Sequence, residues 1–321
     1  MKAAPLLVSF NSIEKYLDAL QEDKSSVYSG SIKELVDKSY PPIVSVYCLS
    51  VLFGYSFGFV YSLLKRPDKF YRNFSINQGK KIRRISSPKV ALKVIQKWFG
   101  YHLSRAIEFP PHVFGFVSGR SFADAAAQHI GARWIFSIDI VDFFPSITER
   151  NISDSLKTIG YSSEGADLAA GLCCLNGVLA QGSPASPVLS NIFMMSVDEE
   201  ILRLAKKYSL TVTRYADDIV FSGNDDFDEG MMAELALIFS KTPFKINNEK
   251  KYFADANKGQ RLKVHGLLVK EERINLTKGY RNKLRAYRHM LKEGKIKEGD
   301  VARINGHLKF GEFIERKSGG E

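Results

Sequence analysis

Two adjacent aspartates set between two apolar runs constrain this chain more than any other feature. Residues 210–223 read LTVTRYADDIVFSG. Residues that favour strands flank a pair that does not, so the segment predicts two strands hinged near Asp217-Asp218. Like charges at a hairpin tip repel one another. A divalent cation removes that cost, and hard oxygen ligands suit Mg²⁺. An ordinary turn also holds Asp-Asp, so the pair needs a partner before it implies a metal. Asp139 supplies one, near the end of the apolar strand WIFSIDI (134–140). Three carboxylates from two strands can converge on two metal ions, the arrangement that activates a hydroxyl and stabilises the leaving group of an in-line displacement at phosphorus. Asp142 reads as structural.

A further feature is QGSPASP (181–187). Two prolines and a glycine lock a turn ahead of a helix. That turn can present Gln181 and backbone groups to a base or a nucleotide; the alternative is a plain helix start with Pro187 in its first turn.

Charge is unevenly placed. The net charge is +11 over 321 residues. Residues 65–105 carry twelve basic side chains against Asp68, and residues 278–297 carry eight against Glu293. Two basic zones therefore flank an acidic centre, which points to a polyanionic partner. Phe70, Tyr71, Phe74, Trp98, Phe99 and Tyr101 interleave the first zone. Aromatic faces there can stack on bases, although Trp98 and Phe99 read as core. The composition is 45% hydrophobic and 25% charged, which excludes collagen-like and wholly disordered chains. Three cysteines with no Cys-x-x-Cys pair exclude a zinc ribbon and a disulfide framework, and reduced thiols fit the cytoplasm. The N-terminus makes a poor signal peptide. Ile43 to Leu64 carries no charge and is long enough to span a membrane. Its serines, with Gly54 and Gly58, instead predict two short buried helices around a turn.

The rest reads as mixed α/β. Residues 1–64 are helical, 70–87 form a strand pair joined at Asn77-Gln78-Gly79, and 89–108 form a helix. NISDSLKTIG is a helix capped by Asn151 or a serine. A long helix starts at SPVLSN, DEGMMAELALIFSKT is a helix, FKINN and LKVHGLLVK are strands, 278–292 is a basic helix, and the tail KSGGE is disordered. Helices and strands do not alternate strictly, which favours a split βαβ, palm-like layout over a doubly wound sheet.

Together these segments resemble the reverse transcriptases. KKIRRISSP, GFVSGRS, SIDIVDFFPSI, LAQGSPASP, TRYADDIVFSG, INNEKK and VHGLLV follow in family order across residues 45–290. Within that superfamily the chain looks most like the retron reverse transcriptases and related defence-associated bacterial enzymes. The resemblance implies an α/β (α+β) right-hand polymerase. Its parts are an N-terminal helical region (1–64), fingers (65–130), a palm with a split βαβ core and YADD hairpin (131–268), and a short helical thumb with a tail (269–321). It implies two Mg²⁺ ions on Asp139, Asp217 and Asp218, helped by the Ile140 carbonyl. Phe144 is then the steric gate that excludes a ribose 2′-hydroxyl, or else packs in the core beside Phe143. Arg83, with Lys81, grips the triphosphate. Gln181 and Gly182 form the nucleotide floor. Lys250 sits near the pyrophosphate as a general acid, unless it is a plain surface lysine. Val264, His265 and Gly266 begin a primer grip running to Leu268, and Arg281, Lys283, Arg285 and Arg288 line a thumb helix that holds a duplex or structured RNA.

The implied partners are a structured non-coding RNA, its DNA product, deoxynucleotides and an effector protein from the same operon, with no membrane. Two departures bear on priming. Retron enzymes carry Asn-Ala-x-x-His where this chain has Ala125-Ala126-Ala127-Gln128-His129, and Val-Thr-Gly where it has Val264-His265-Gly266. Both motifs are linked to retron RNA recognition and 2′-hydroxyl priming, so another priming route stays open. His129 and His265 read otherwise as satisfied structural histidines. The resemblance leaves no stretch for an RNase H, endonuclease or maturase domain, so other proteins are expected to act on the template. A non-catalytic RNA-binding scaffold of the same fold and a palm-type RNA polymerase are the alternatives. The first predicts that Asp217→Ala is harmless, the second a small or polar residue at Phe144.

Overall fold

The computed structural model describes residues 3–78 and 81–318; nothing is described of the Gln78 and Lys81 side chains. The helices are α1 (Ile13–Asp18), α2 (Glu22–Asp37), α3 (Val46–Phe53), α4 (Phe57–Lys65), α5 (Val90–Ala106), α6 (Phe122–Ala127), α7 (Glu149–Thr158), α8 (Ser163–Cys173), α9 (Ser186–Lys207), α10 (Glu229–Ser240), α11 (Lys278–Lys292) and α12 (Glu298–Ser318). The strands are β1 (Tyr71–Gln78), β2 (Lys81–Pro88), β3 (Trp134–Val141), β4 (Cys174–Leu175), β5 (Val178–Leu179), β6 (Thr211–Tyr215), β7 (Asp218–Gly223), β8 (Lys245–Ile246), β9 (Tyr252–Asp255), β10 (Lys263–Val264), β11 (Leu267–Val269) and β12 (Ile274–Leu276). The chain forms two compact units. One comprises Met1–Pro110 and Val141–Val197, the other Pro111–Ile140 and Asp198–Glu321.

In the first unit the uncharged run folds as α3 and α4, bent by 120°. Its serines act as caps: Ser45 Oγ accepts the Cys48 N–H, and Ser56 Oγ accepts the Phe59 N–H. Leu49, Leu52, Val60 and Leu63 are fully buried, as are Trp98 and Phe99 of α5. Among the described residues no single helix is long and apolar enough to cross a membrane. Long-range polar bonds tie the unit together. Tyr16 Oη donates to the Cys48 carbonyl (2.8 Å), Trp98 Nε1 to that of Pro5 (3.0 Å), and the buried Gln96 amide to that of Leu172 (2.6 Å). Thr148, not Asn151 or a serine, caps α7. Asn151 at the third helical position reciprocates, a capping box that moves the start back by three residues. All three cysteines are buried and free.

The second unit is built on an antiparallel sheet. Its order is β6-β7-β3-β8, with β9 also paired to β3. Alternation along β3 sends Ile135 to one face, where it joins Val220, Ala254, Val264, Leu267, Ile274, Leu284 and Ile314 in a continuous core. Trp134 packs edge-to-face and Phe136 at a tilt against Phe227, at centroid distances of 5.0 and 5.7 Å. Only Lys245–Ile246 of the expected FKINN strand pairs. The expected LKVHGLLVK strand is a hairpin, β10 and β11, to which β12 adds a third strand. The helices α6, α8 and α12 carry no strong sequence signal and were not expected. The end of α12 corrects the disordered tail: Lys317 Nζ reaches Asp124 Oδ1 at 2.5 Å and Ser318 Oγ donates to the Ile274 carbonyl at 2.5 Å. Gly319–Glu321 lie outside the described residues.

Candidate active site

Asp139 and Asp218 stand directly opposite each other across the β3–β7 ladder. Like charges in that relation are destabilising in a plain sheet. Asp217 lies in the two-residue turn between β6 and β7. Burial holds its carboxyl above the ordinary carboxylate range, and the charges of Asp139 and Asp218 add to the rise. The structure therefore gathers the three carboxylates expected from sequence.

Cationic and polar groups surround them. The backbone N–H of Asn247 donates to the Asp139 carbonyl (2.8 Å), which brings the turn after β8 alongside β3. Three residues later, Lys250 Nζ pairs with Asp139 Oδ1. The β10–β11 hairpin turns on His265-Gly266, both with positive φ, as a tight right-twisted hairpin requires. That turn brings His265 Nδ1 to 3.0 Å from Asp218 Oδ2, with the imidazole 5.3 Å from the Tyr215 ring. His265 is thus part of the carboxylate cluster rather than a satisfied structural histidine, and among the described residues its Nε2 has no partner. His129 is the satisfied one, bonded to Ser222 Oγ (2.7 Å) and Thr213 Oγ1 (2.8 Å).

The turn is held from below by residues that the sequence reading did not single out. Arg214 and Asp198 are both fully buried and form a bidentate pair, with Nε–Oδ1 and Nη2–Oδ2 each at 2.6 Å. The remaining guanidinium nitrogen, Nη1, donates to the Ala216 carbonyl at 3.1 Å. Ala216 has φ +58°, a left-handed conformation that a non-glycine residue adopts only when its surroundings enforce it. Gly115 packs against this turn, and a Cβ there would strike Ala216 N and lie 2.9 Å from Tyr215 C. His112 lies beside the pair, its Nε2 3.9 Å from Asp198 Oδ1, and burial pushes its pKa down. The only advance signal was Arg214, the one charged residue of β6 (TVTRY).

Apart from those on α11, the remaining expected residues belong to the first unit. Arg83 is exposed on β2, and the Lys81 side chain lies outside the described residues. The Ser86 N–H of β2 donates to the Gln181 carbonyl (2.9 Å), so that strand and the QGSPASP turn meet. Gly182 has φ +134°, and a Cβ on it would lie 2.6 Å from the Ser86 carbonyl oxygen. The turn is as rigid as its prolines suggested: Ser186 Oγ donates back to the Ala180 carbonyl at 2.7 Å. Phe144 is half-buried, its ring 5.4 Å from that of the buried Phe143. Asp142 opens the same turn at φ +45°. On α11, Arg281, Lys283, Arg285 and Arg288 are exposed, and Lys283 Nζ lies over the rings of Tyr280 and Tyr287.

Among the described residues no His, Cys, Asp and Glu side chains form a ready-made metal cage. Lys250 and His265 engage two of the three carboxylates instead. The donor set nevertheless suits a hard divalent cation: it is all oxygen, crowded with negative charge, and contains a carboxyl raised by burial and by its charged neighbours.

The family described as reverse transcriptase (RNA-dependent DNA polymerase) matches residues 75–272. The retron Ec86 reverse transcriptase of Escherichia coli is 30% identical over 80% of this chain and 80% of its own length. The retron Mx65 reverse transcriptase of Myxococcus xanthus is 32% identical over 71% of this chain and 57% of its own length. The structure of apo telomerase from Candida tropicalis aligns with a TM-score of 0.46 at 10% identity, covering 63% of this chain and 48% of that one.

Proposed function

Since the chain belongs to the reverse transcriptases, and within them to the bacterial retron type, we propose that it copies a structured non-coding RNA into a short DNA using Asp139, Asp217 and Asp218. The observation that carries this reading is the register of Asp139 against Asp218 with Asp217 in the adjoining turn. Two Mg²⁺ ions on these carboxylates would supply a lowered hydroxyl pKa at the primer end and charge neutralisation at the leaving pyrophosphate.

The protein's own groups do the rest. Arg214 fixes the turn that carries Asp217. Lys250 leaves Asp139 to neutralise charge, or donate a proton, at the pyrophosphate. Arg83, with Lys81, holds the triphosphate, Gln181 and Gly182 form the floor beneath the base pair, and Phe144 excludes a 2′-hydroxyl. Val264, His265 and Gly266 steady the primer, and Arg281, Lys283, Arg285 and Arg288 hold the duplex. In this division residues 65–130 are fingers, 131–268 palm and 269–321 thumb. The reaction belongs in the cytoplasm, in a retron or related antiphage system with an effector encoded nearby.

The test is to co-express the chain with its native flanking DNA and extract the bound nucleic acid. Wild type is expected to carry DNA that Asp217→Ala lacks. DNA still joined to RNA under denaturing conditions indicates 2′-hydroxyl priming, and free DNA another route. RNA alone in both, with no extension on adding deoxynucleotides and Mg²⁺, refutes the proposal.

A further inference from the structure

The segment GFVSGRS (115–121) joins the edge of β6 to the start of α6. The residues just before it run beside β6: the Arg214 N–H donates to the His112 carbonyl and the Phe114 N–H to the Arg214 carbonyl, both at 2.8 Å. At its far end, Ala123 and Ala126 of α6 pack with Ile135 and Val220. Ile135 shares a face of β3 with Asp139, and Asp218 stands opposite Asp139. The segment therefore crosses from the sheet edge to the face that carries Asp139 and Asp218. Phe116 stands at the crossing. Gly115 is packed against Tyr215 and Ala216, so the Phe116 Cα lies about 3.8 Å beyond a contact with the turn that carries Asp217.

Two features of Phe116 run against stability. His112 to Gly115 are buried, and Phe116 then emerges 37% exposed. Its φ is +64°, the left-handed region in which a bulky side chain is strained and glycine is not. Strain of this kind persists where function requires it. The segment is also fixed at both ends. Arg120 Nη1 donates to the Val113 carbonyl at 2.6 Å, and Ser121 and Asp124 form a capping box at the start of α6. The ring is thus held in place ahead of any ligand. Flat and uncharged, it suits the face of a base. Arg83, Gln181 and Phe144, assigned above to the incoming nucleotide, belong to the first unit. Val264, His265 and Gly266, assigned to the primer, belong to the second unit with Phe116. His265 packs on Tyr215 with ring centroids 5.3 Å apart, and Gly115 packs on the same residue. The primer end is therefore the base nearest to Phe116 in the proposed reaction.

We propose that Phe116 is a primer-binding residue whose ring packs against the base at the primer's 3′ end and holds that end beside the carboxylates. The proposal rests on the polymerase reading, and its test separates the two. The contact is indifferent to sequence, since every base presents a flat face.

Three variants separate the ring from the backbone. Phe116→Tyr keeps the ring. Phe116→Ala and Phe116→Gly remove it, and the glycine also relieves the strained φ, so Phe116→Gly is expected to melt at least as high as Phe116→Ala. The probe is a fluorescein-labelled DNA primer annealed to an RNA template, its last primer nucleotide either intact or abasic, titrated by anisotropy. Losing one base–ring contact raises the Kd of the intact probe about 5- to 150-fold in both ring-less variants, while Phe116→Tyr binds like wild type. On the abasic probe wild type is expected to bind as weakly as the ring-less variants. Wild-type affinity of both ring-less variants for the intact probe would overturn the proposal. So would a penalty in them that stays as large on the abasic probe, since the ring then touches no terminal base. Where Phe116→Ala fails to fold, Phe116→Gly carries the comparison. Failure of wild type to extend the intact primer with deoxynucleotides and Mg²⁺ would refute the polymerase reading while leaving the affinity comparison intact.

Discussion

The Arg214–Asp198 pair lets folding and catalysis be separated in one set of variants. Both side chains are fully buried, and each of their two hydrogen bonds is 2.6 Å long. Asp198→Asn preserves shape but leaves the guanidinium uncompensated in the interior. Removing one partner of such a pair typically costs about 3–5 kcal/mol. His112 gives no relief, because burial keeps it neutral and a protonated imidazole would add to the unpaired positive charge. At about 2–4 °C per kcal/mol, the melting temperature should fall by roughly 6–20 °C. Arg214→Met strands Asp198 and also deprives the Ala216 carbonyl of its donor, so it should be at least as damaging. The double variant Asp198→Leu/Arg214→Met removes both charges. Apolar replacement of a buried pair is often neutral or stabilising, so the loss should shrink to roughly 1–3 kcal/mol, the cost of the unpaired carbonyl.

Activity should not return with stability. The double variant lacks the guanidinium that holds the Ala216 carbonyl in its φ +58° turn, and displacing a catalytic group by about 1 Å costs about 100-fold in rate. The assay is thermal melting beside single-turnover extension of a pre-annealed primer–template. Two results would refute the reasoning: a fully active double variant, which removes the positioning role, or an Asp198→Asn protein that melts within a degree of wild type, which removes the buried-charge argument.

Other perturbations have equally definite outcomes. Replacing Gly115 by Ala forces backbone against the Ala216 turn and should cost about 1–3 kcal/mol with a larger fall in extension rate, read by melting and turnover. Phe144→Ala should raise ribonucleotide use relative to deoxynucleotide use by about 10-fold or more, measured as a ratio of kcat/KM values; an unchanged ratio would make Phe144 a core residue only. Lys250→Met frees Asp139, so half-maximal activation should need severalfold less Mg²⁺ even as the maximal rate falls. His129 sets a pH window. Burial lowers its pKa from 6.5 to about 3, so below pH 6.5 the unfolded chain binds a proton that the folded chain refuses. Its contribution is complete above 6.5 and is lost at about 1.4 kcal/mol per pH unit down to about 3, and His129→Gln should flatten that slope in denaturant melts.

The elements that carry the three carboxylates were legible because their signals are local. Adjacent aspartates between strand-forming runs mark a hairpin whatever surrounds them, and α11 was read to the residue because its cationic face and apolar Leu284 alternate at helical spacing. The limits of the short strands were not legible: β8 and β10, each inside a longer expected strand, pair over two residues, too few for a period to show. The helix α12 was missed because its apolar face is interrupted by glycines, one of which, Gly311, is where Leu284 packs. The support of the site was hidden for a different reason. Arg214 meets Asp198 across sixteen residues, and His265 meets Asp218 across forty-seven, so only the tertiary fold brings them together.

That distinction changes how the departure at Val264-His265-Gly266 reads. In the sequence it looks like the loss of a family motif. In the structure the imidazole sits on one of the three carboxylates, Asp218, and Lys250 sits on another, Asp139. The three aspartates are therefore not equivalent. Asp139 faces an ammonium and Asp218 an imidazole, whereas among the described residues no side chain hydrogen-bonds the Asp217 carboxylate. Asp217 is also the carboxyl raised by burial and by its two neighbours, so it has the most to gain from a positive charge. The hairpin tip tolerates its crowded charge because two of its members are already partnered. In the proposed reaction Asp217 takes the first cation, and Asp139 and Asp218 become available as Lys250 and His265 let go.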